Sequence, residues 1–249
     1  MKTLFLNIAI MKRLFMFMAT TVVAAAFAAS ASAQISVSAG YGLMTQTGNS
    51  LIGDMDEDEG NANFSGFYVN GSYEWKFLKK DWGTLALQPG ITYQFGADVD
   101  REEDSGIKYR TSVTEHYLDV PINVRYTYDL NSDIKLHAFA GPVLSFGLAS
   151  IYKVKVEYED EWAVNRLNLY NGKYSVKSSD ESLNEKDDYG DTGYSFFDLK
   201  LGIGFGVTFK ERYSANIGYN FGLLNRTAKV DAGYVSHTHV LQVGIGYNF

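Results

Sequence analysis

Apolar and polar residues alternate with period two along eight separate stretches of the chain. Between residues 34 and 45, Ile35, Val37, Ala39, Tyr41 and Leu43 share one face, and Ser36, Ser38, Gly40 and Gly42 share the other. The last stretch repeats this, with Leu241, Val243, Ile245, Tyr247 and Phe249 set against Gln242, Gly244, Gly246 and Asn248. Side chains of a β-strand point alternately to its two faces, so each stretch predicts a strand with one apolar and one small, polar side. The same pattern predicts strands near 64–77, 84–98, 112–130, 134–150, 194–210 and 213–226.

The connections alternate in length. Residues 78–83, 131–133 and 210–212 are short turns, whereas 46–63, 99–111, 151–193 and 227–235 are longer. Tyr152 to Tyr158 also alternates, so the fifth strand is expected to extend outward as part of a hairpin. A half-apolar strand at each end of an open sheet would leave bare edges, and closing the sheet into a barrel removes them. Eight antiparallel strands, short turns on one rim and long loops on the other are the arrangement of a transmembrane barrel of the bacterial outer membrane. The expected fold is therefore an all-β, eight-stranded, up-and-down transmembrane barrel, with short periplasmic turns and long extracellular loops.

Alternation alone does not say which face is inside. The apolar face carries Tyr73, Trp75, Phe77, Tyr93, Phe95, Tyr126, Tyr128, Phe146, Phe205, Phe209, Tyr219 and Phe221. An eight-stranded barrel is only just wide enough for side chains to fill, and these rings would overpack it. The apolar face is therefore expected to meet lipid. Rings near the short turns, among them Trp75, Tyr126, Phe209 and Tyr213, fit an interfacial girdle. Charge agrees, since 21 of the 29 acidic residues fall at the long-loop end.

Composition narrows the reading further. There is no cysteine, hence no disulfide or thiolate metal site, and the formal net charge of -7 argues against a nucleic-acid partner. Residues 1–33 read as a secretory signal: Lys12 and Arg13, an apolar core from Leu14 to Ala29, then Ala31-Ser32-Ala33 as a cleavage site with Gln34 first in the mature chain. Met11 is an alternative initiator. The 34–249 remainder is one barrel domain.

Four runs carry a resemblance: HYLDVPINVRYTYDL, IKLHAFAGPVLSFGL, FFDLKLGIGFGVTF and the final GIGYNF. They resemble the small outer-membrane β-barrel family described as PorT-like, or outer membrane protein beta-barrel domain. The resemblance covers most of the mature chain and implies a Gram-negative outer-membrane location. It implies no single activity. Tyr247 and Phe249 look like the terminal signal read by the barrel-assembly machinery, so deleting Phe249 is expected to slow insertion, measured as outer-membrane yield.

Several constellations are candidates for chemistry. Glu74, Lys76, Asp119, Arg125, Lys135, His137, Asp198 and Lys200 fall on the inward face and predict an interior polar network. Opposite charges in a narrow lumen must pair. The network reads as a salt-bridge plug or, alternatively, as the lining of a narrow porin-like channel. The plug is preferred because eight strands leave little lumen. Asp119 and Arg125 lie too far apart along one strand to pair directly, so their partners are expected on neighbouring strands.

Asp54, Asp56 and Asp58 form a weak candidate for a divalent cation, or for a cation bridge to lipopolysaccharide. The glycine sits one place late for an EF-hand and the distal glutamate is missing, so a solvated loop is preferred. Gly202-x-Gly204-x-Gly206 lacks a strand–turn–helix context and reads as a smooth inward stripe, not a nucleotide site. His237 and His239 share a face with Leu241, while Ser236 and Thr238 point the other way, and His116 is on another strand. No catalytic triad assembles and no G-x-S-x-G occurs, so a lipid-modifying enzyme is disfavoured. No cofactor is expected. The expected role is structural or surface-binding, acting through acidic loops. A narrow channel is one alternative, and an accessory role in a secretion apparatus follows only from the resemblance. The expected partners are outer-membrane lipid, lipopolysaccharide and, during insertion, the assembly machinery.

Overall fold

The computed structural model describes residues 33–48, 61–190, 192–227 and 235–249. Among these residues the chain forms β1 (Ala33–Gly48), β2 (Ala62–Lys80), β3 (Gly83–Asp104), β4 (Ile107–Asp129), β5 (Ile134–Tyr158), β6 (Glu161–Asn168), β7 (Lys173–Ser178), β8 (Glu185–Asp188), β9 (Phe197–Phe209), β10 (Tyr213–Gly222) and β11 (Ser236–Asn248). Eight of them, β1–β5 and β9–β11, form a closed antiparallel ring. β11 closes on β1 in a continuous register from Ser36↔Asn248 to Gly48↔Ser236.

The apolar face points outward. Ile245 is 73% exposed and Phe205 is 65% exposed, whereas Glu74, Asp119, His137, Asp198 and Lys200 on the opposite face are buried. This inverts the water-soluble pattern, because here lipid solvates the outer face and the lumen must hold the polar groups. The glycine stripe has a packing reason. A Cβ on Gly204 would lie 2.3 Å from the ring of Phe139, and one on Gly206 would lie 2.6 Å from His137 Nε2. The narrow lumen admits these two side chains only because β9 presents bare backbone to them.

The structure redraws two of the expected long loops. Residues 99–111 are mostly strand: β3 and β4 run on as a hairpin closed by Ser105 and Gly106, with φ of 51° and 82°. Two successive positive φ values suit the tight turn whose twist matches the flanking strands. Residues 151–193 contain the outward extension of β5, as the alternation of 152–158 predicts, followed by β6, β7 and β8 paired in sequence. Strand ends also shift. β9 begins at Phe197 rather than 194, and β10 ends at Gly222 rather than 226. In each case the chain turns inward to place one side chain in the barrel mouth.

Two irregularities adjust the faces. The β2–β3 register slips between Lys76 and Leu78, leaving Phe77 extra near a turn. The β4–β5 register slips between His116 and Tyr117, leaving Leu148 without an opposite residue. Beyond that bulge the alternation on β5 moves by one place, and Ser150 becomes fully buried in the lumen.

Candidate functional site

The lumen is best followed from the turn end, where Gln34, Lys135 and Glu211 lie, to the loop end. At the turn end is an open vestibule of about 330 Å³, lined by Glu74, Lys76, Arg125, Lys135 and Glu211 among others. Lys135 reaches Glu211 at 2.7 Å and Asp129 at 3.4 Å. The hydrogen bond from Lys135, and its charge, hold the Glu211 carboxyl below its usual range. Lys76 lies 3.7 Å from Glu74 but is itself half in solvent.

The vestibule ends on an ion pair. Arg125 on β4 meets Glu74 on β2 at 3.3 Å and donates to Thr208 Oγ1 at 3.4 Å. His137 lies 2.6 Å from Asn216 Oδ1. Above them a polar cavity of about 100 Å³ is lined by Ser38, Asn70, Asn123, His137, Asn216 and Gln242, among others. Arg125 lines both spaces, so the Arg125–Glu74 pair is the partition between them.

Further up, Lys200 on β9 faces Asp119 on β4 at 3.7 Å, with its ammonium 4.8 Å from the centre of the Tyr117 ring. Asp198 accepts from the backbone N–H of Leu224 at 3.2 Å. Asp119 and Arg125 each take a partner from another strand, but not from the adjacent β3 or β5 as expected: β9 and β2 are each two strands away, and the pairs reach across the narrow lumen. Of the eight interior residues expected from sequence, six are buried, and Lys76 and Lys135 form the rim.

The loop end is sealed by a cluster that the period-two pattern marks only in part. Arg226, which follows β10, is turned into the barrel and is 1% exposed. It donates to the hydroxyls of Tyr117 and Tyr170, to Thr238 Oγ1 at 3.1 Å and to the Ser195 carbonyl at 3.2 Å. Its guanidinium carbon lies 4.6, 5.0 and 5.6 Å from the ring centres of Tyr194, Tyr117 and Tyr170. The hydroxyls of Tyr117 and Tyr170 in turn donate hydrogen bonds to Glu115, at 2.8 and 3.4 Å. Ser150 donates to the same carboxylate at 2.6 Å. A cation and an anion, both desolvated, are therefore joined through two phenols, the arrangement a buried charge pair needs to be tolerated. Met44, Phe64, Val113 and Val240 pack beside Tyr117 and exclude water from it.

A family model described as "Outer membrane protein beta-barrel domain" matches residues 27–227. The chain belongs to the outer membrane protein beta-barrel domain family. Its place is the outer membrane of a Gram-negative bacterium. No curated protein matches by sequence. Among solved structures the chain is similar to Ail, the attachment invasion locus protein of Yersinia pestis, in complex with the heparin analogue sucrose octasulfate: 14% identity, 87% of this chain and 99% of that one, TM-score 0.41. It is also similar to Neisserial surface protein A, at 12% identity, 86% and 95% coverage and TM-score 0.37. A third is the outer membrane enzyme PagL, at 11% identity, 84% and 98% coverage and TM-score 0.36.

In this member of the family the remaining sequence candidates fall as follows. His237 and His239 lie on the outer face of β11, where His239 stacks on Tyr219 with ring centres 6.1 Å apart and approaches Thr47 Oγ1 at 3.4 Å. His116, also on the outer face, accepts from or donates to the Tyr93 hydroxyl at 2.8 Å. Asp54, Asp56 and Asp58 lie outside the described residues, as does the expected leader except Ala33, the first residue of β1. Tyr247 and Phe249 pack ring to ring at 5.0 Å, and Phe249 N–H donates to the Ile35 carbonyl at 2.9 Å. Glu115 and Tyr117 share the inward face with Asp119, so that part of the cluster was visible as alternation. Tyr170, Tyr194 and Arg226 lie outside the strands, where alternation carries no signal.

Proposed function

We propose that this outer-membrane barrel is a closed, non-enzymatic scaffold that holds a folded sheet at the cell surface and acts by binding there. The observation supporting this is the sealed loop end. Arg226, Tyr117, Tyr170, Tyr194 and Glu115 fill the lumen just where β5–β8 rise out of the ring. On this reading the loop end faces outward, and the mature chain starts at Gln34, which mass spectrometry of the exported protein would check. The chain has no cysteine. Ser105→Cys at the tip of the β3–β4 hairpin should therefore be labelled in intact cells by a membrane-impermeant maleimide. Absence of labelling until the cells are permeabilised would reverse the orientation.

A second reading, a narrow channel, is favoured by the vestibule and the cavity behind Arg125. Planar-bilayer recording separates the two. The scaffold reading expects no unitary conductance from the native barrel; steps that change when Asp119→Asn or Arg125→Gln is introduced would establish the channel instead. An accessory place in a secretion apparatus would appear as a stoichiometric partner in a pull-down from outer membranes.

A further inference from the structure

The register of the loop-end sheet lines up its outward side chains in rows. One row, read across β3, β4, β5, β6, β7 and β8, is Val99, Ser112, Lys153, Arg166, Ser175 and Lys186. The next row outward, across β3 to β7, is Arg101, Arg110, Lys155, Val164 and Lys177. Seven cations and no carboxylate occupy these two rows, in a chain that carries more acidic than basic residues. Asp98, Asp100, Glu102 and Asp104 alternate onto the opposite face of β3. Carboxylates occur on this face only in the flanking rows: Asp188 opposite Lys173 below, and Glu103 and Glu157 on either side of Lys108 in the third row.

The arrangement is unfavourable without an anion. Arg101 is directly opposite Arg110, Arg110 is opposite Lys155, and Lys153 is opposite Arg166. Like charges directly opposite one another in an antiparallel pair destabilise it. Among the described residues only Lys155 of these seven has an ion-pair partner, Glu157. That carboxyl is held below its usual range by the hydrogen bond from Lys155 and by the charges of Lys155, Lys108 and Arg110. Arg110, Ser112, Lys153, Lys155, Trp162 and Val164 line an open groove on this face, which combines cations, a hydroxyl and apolar surface.

The height of the rows identifies the anion. Below them the outward residues of β3 and β4 are lipid-facing from Leu85 and Tyr126 up to Phe95 and His116. Successive residues of one face are about 6.6 Å apart along a strand, and strands in such barrels tilt by about 40°. The two cationic rows therefore stand about 10 and 15 Å above the Phe95–His116 row, with long side chains able to reach down towards it. We propose that this face binds the phosphates of the phosphorylated glycolipid that forms the outer leaflet around the barrel. The groove takes a headgroup phosphate between Arg110, Lys153 and Lys155, while the acyl chains lie along the apolar band beneath. Cations meet the phosphates directly, so no divalent ion is required as a bridge.

The inference rests on the loop end facing outward, which the Ser105→Cys labelling tests by itself; binding in micelles does not depend on orientation, so the two failures are distinguishable. The folded protein in detergent is titrated with diphosphorylated lipid A and with the same lipid after phosphatase treatment, and binding is read by native mass spectrometry. Retention is expected for the phosphorylated lipid, unchanged by EDTA and weakened by added salt. The triple variant R110Q/K153Q/R166Q should bind about tenfold or more weakly. It should keep its heat-modifiable folded band, since all three side chains are exposed. The control K79Q/K80Q/K210Q removes the same charge from the turn end and should bind as the native protein does. Equal binding of the two lipids, loss of binding in EDTA, or equal loss in both triple variants would overturn the proposal. So would full competition by inorganic pyrophosphate at the lipid's own concentration, which would make the ligand a free phosphate.

Discussion

Arg226→Met is expected to destabilise the folded barrel by about 3–5 kcal/mol, because breaking a buried charge pair from one side leaves the other charge uncompensated. Here the stranded group is Glu115, 1% exposed, which would still accept from Tyr117, Tyr170 and Ser150 but would have lost the Arg226 guanidinium joined to its network. The measurement is urea unfolding of the barrel in lipid vesicles, followed by tryptophan fluorescence. Two further variants separate charge from packing. Glu115→Gln alone should be damaging, since it strands Arg226 instead. The double variant R226M/E115Q should recover part of the loss, because neither charge remains. An unfolding free energy for Arg226→Met within about 1 kcal/mol of that of the native protein would mean that the cluster fills space without anchoring the loops. The same cluster ties the segments before β9, between β6 and β7 and after β10 to the ring, so its loss should also raise amide exchange at Tyr170 and Tyr194 before the barrel strands open.

The ring itself was legible in the sequence because its physics repeats every second residue. Ile35 through Leu43, or Leu199 through Phe209, announce a face without reference to any partner strand, and the bulk of their rings decides that this face cannot be interior. The interior charges were legible for the same reason: Asp119, Arg125 and Lys200 break an otherwise small, neutral face. Their pairing was only partly legible, because Asp119–Lys200 and Arg125–Glu74 depend on stagger between strands distant in sequence. The Arg226 cluster was not legible at all as a unit. Three of its members sit where the chain has left the strands, and their positions follow from chain reversals that no local period records. The acidic look of the loops misled in a different way. Counting charge by segment hides the alternation within β3, β5 and β6, which sends four of the five carboxylates of β3 to one face and Arg101, Lys153 and Arg166 to the other. Only the register of neighbouring strands shows that the cations of separate segments form continuous rows.

Ile203→Arg tests the deepest of these readings, that the apolar face meets lipid. Ile203 is the middle one of the outward residues of β9 and is 44% exposed, with Ala140 and Tyr219 opposite it on the neighbouring strands. An arginine on the lipid face at the midplane is expected to cost about 2–4 kcal/mol, falling to about 0–1 kcal/mol near the interface. Phe209→Arg, at the turn end of the same strand and face, should therefore be far milder, even though Phe209 is the larger side chain. Unfolding in vesicles of a single lipid should show this gradient, and shortening the acyl chains should shrink the Ile203→Arg penalty as the interface comes closer. If the face were instead buried against protein, the penalty would follow the volume and packing of each residue. It would then be indifferent to bilayer thickness and larger at Phe209 than at Ile203. The order of the two variants, more than either value, decides which solvent this barrel is built for.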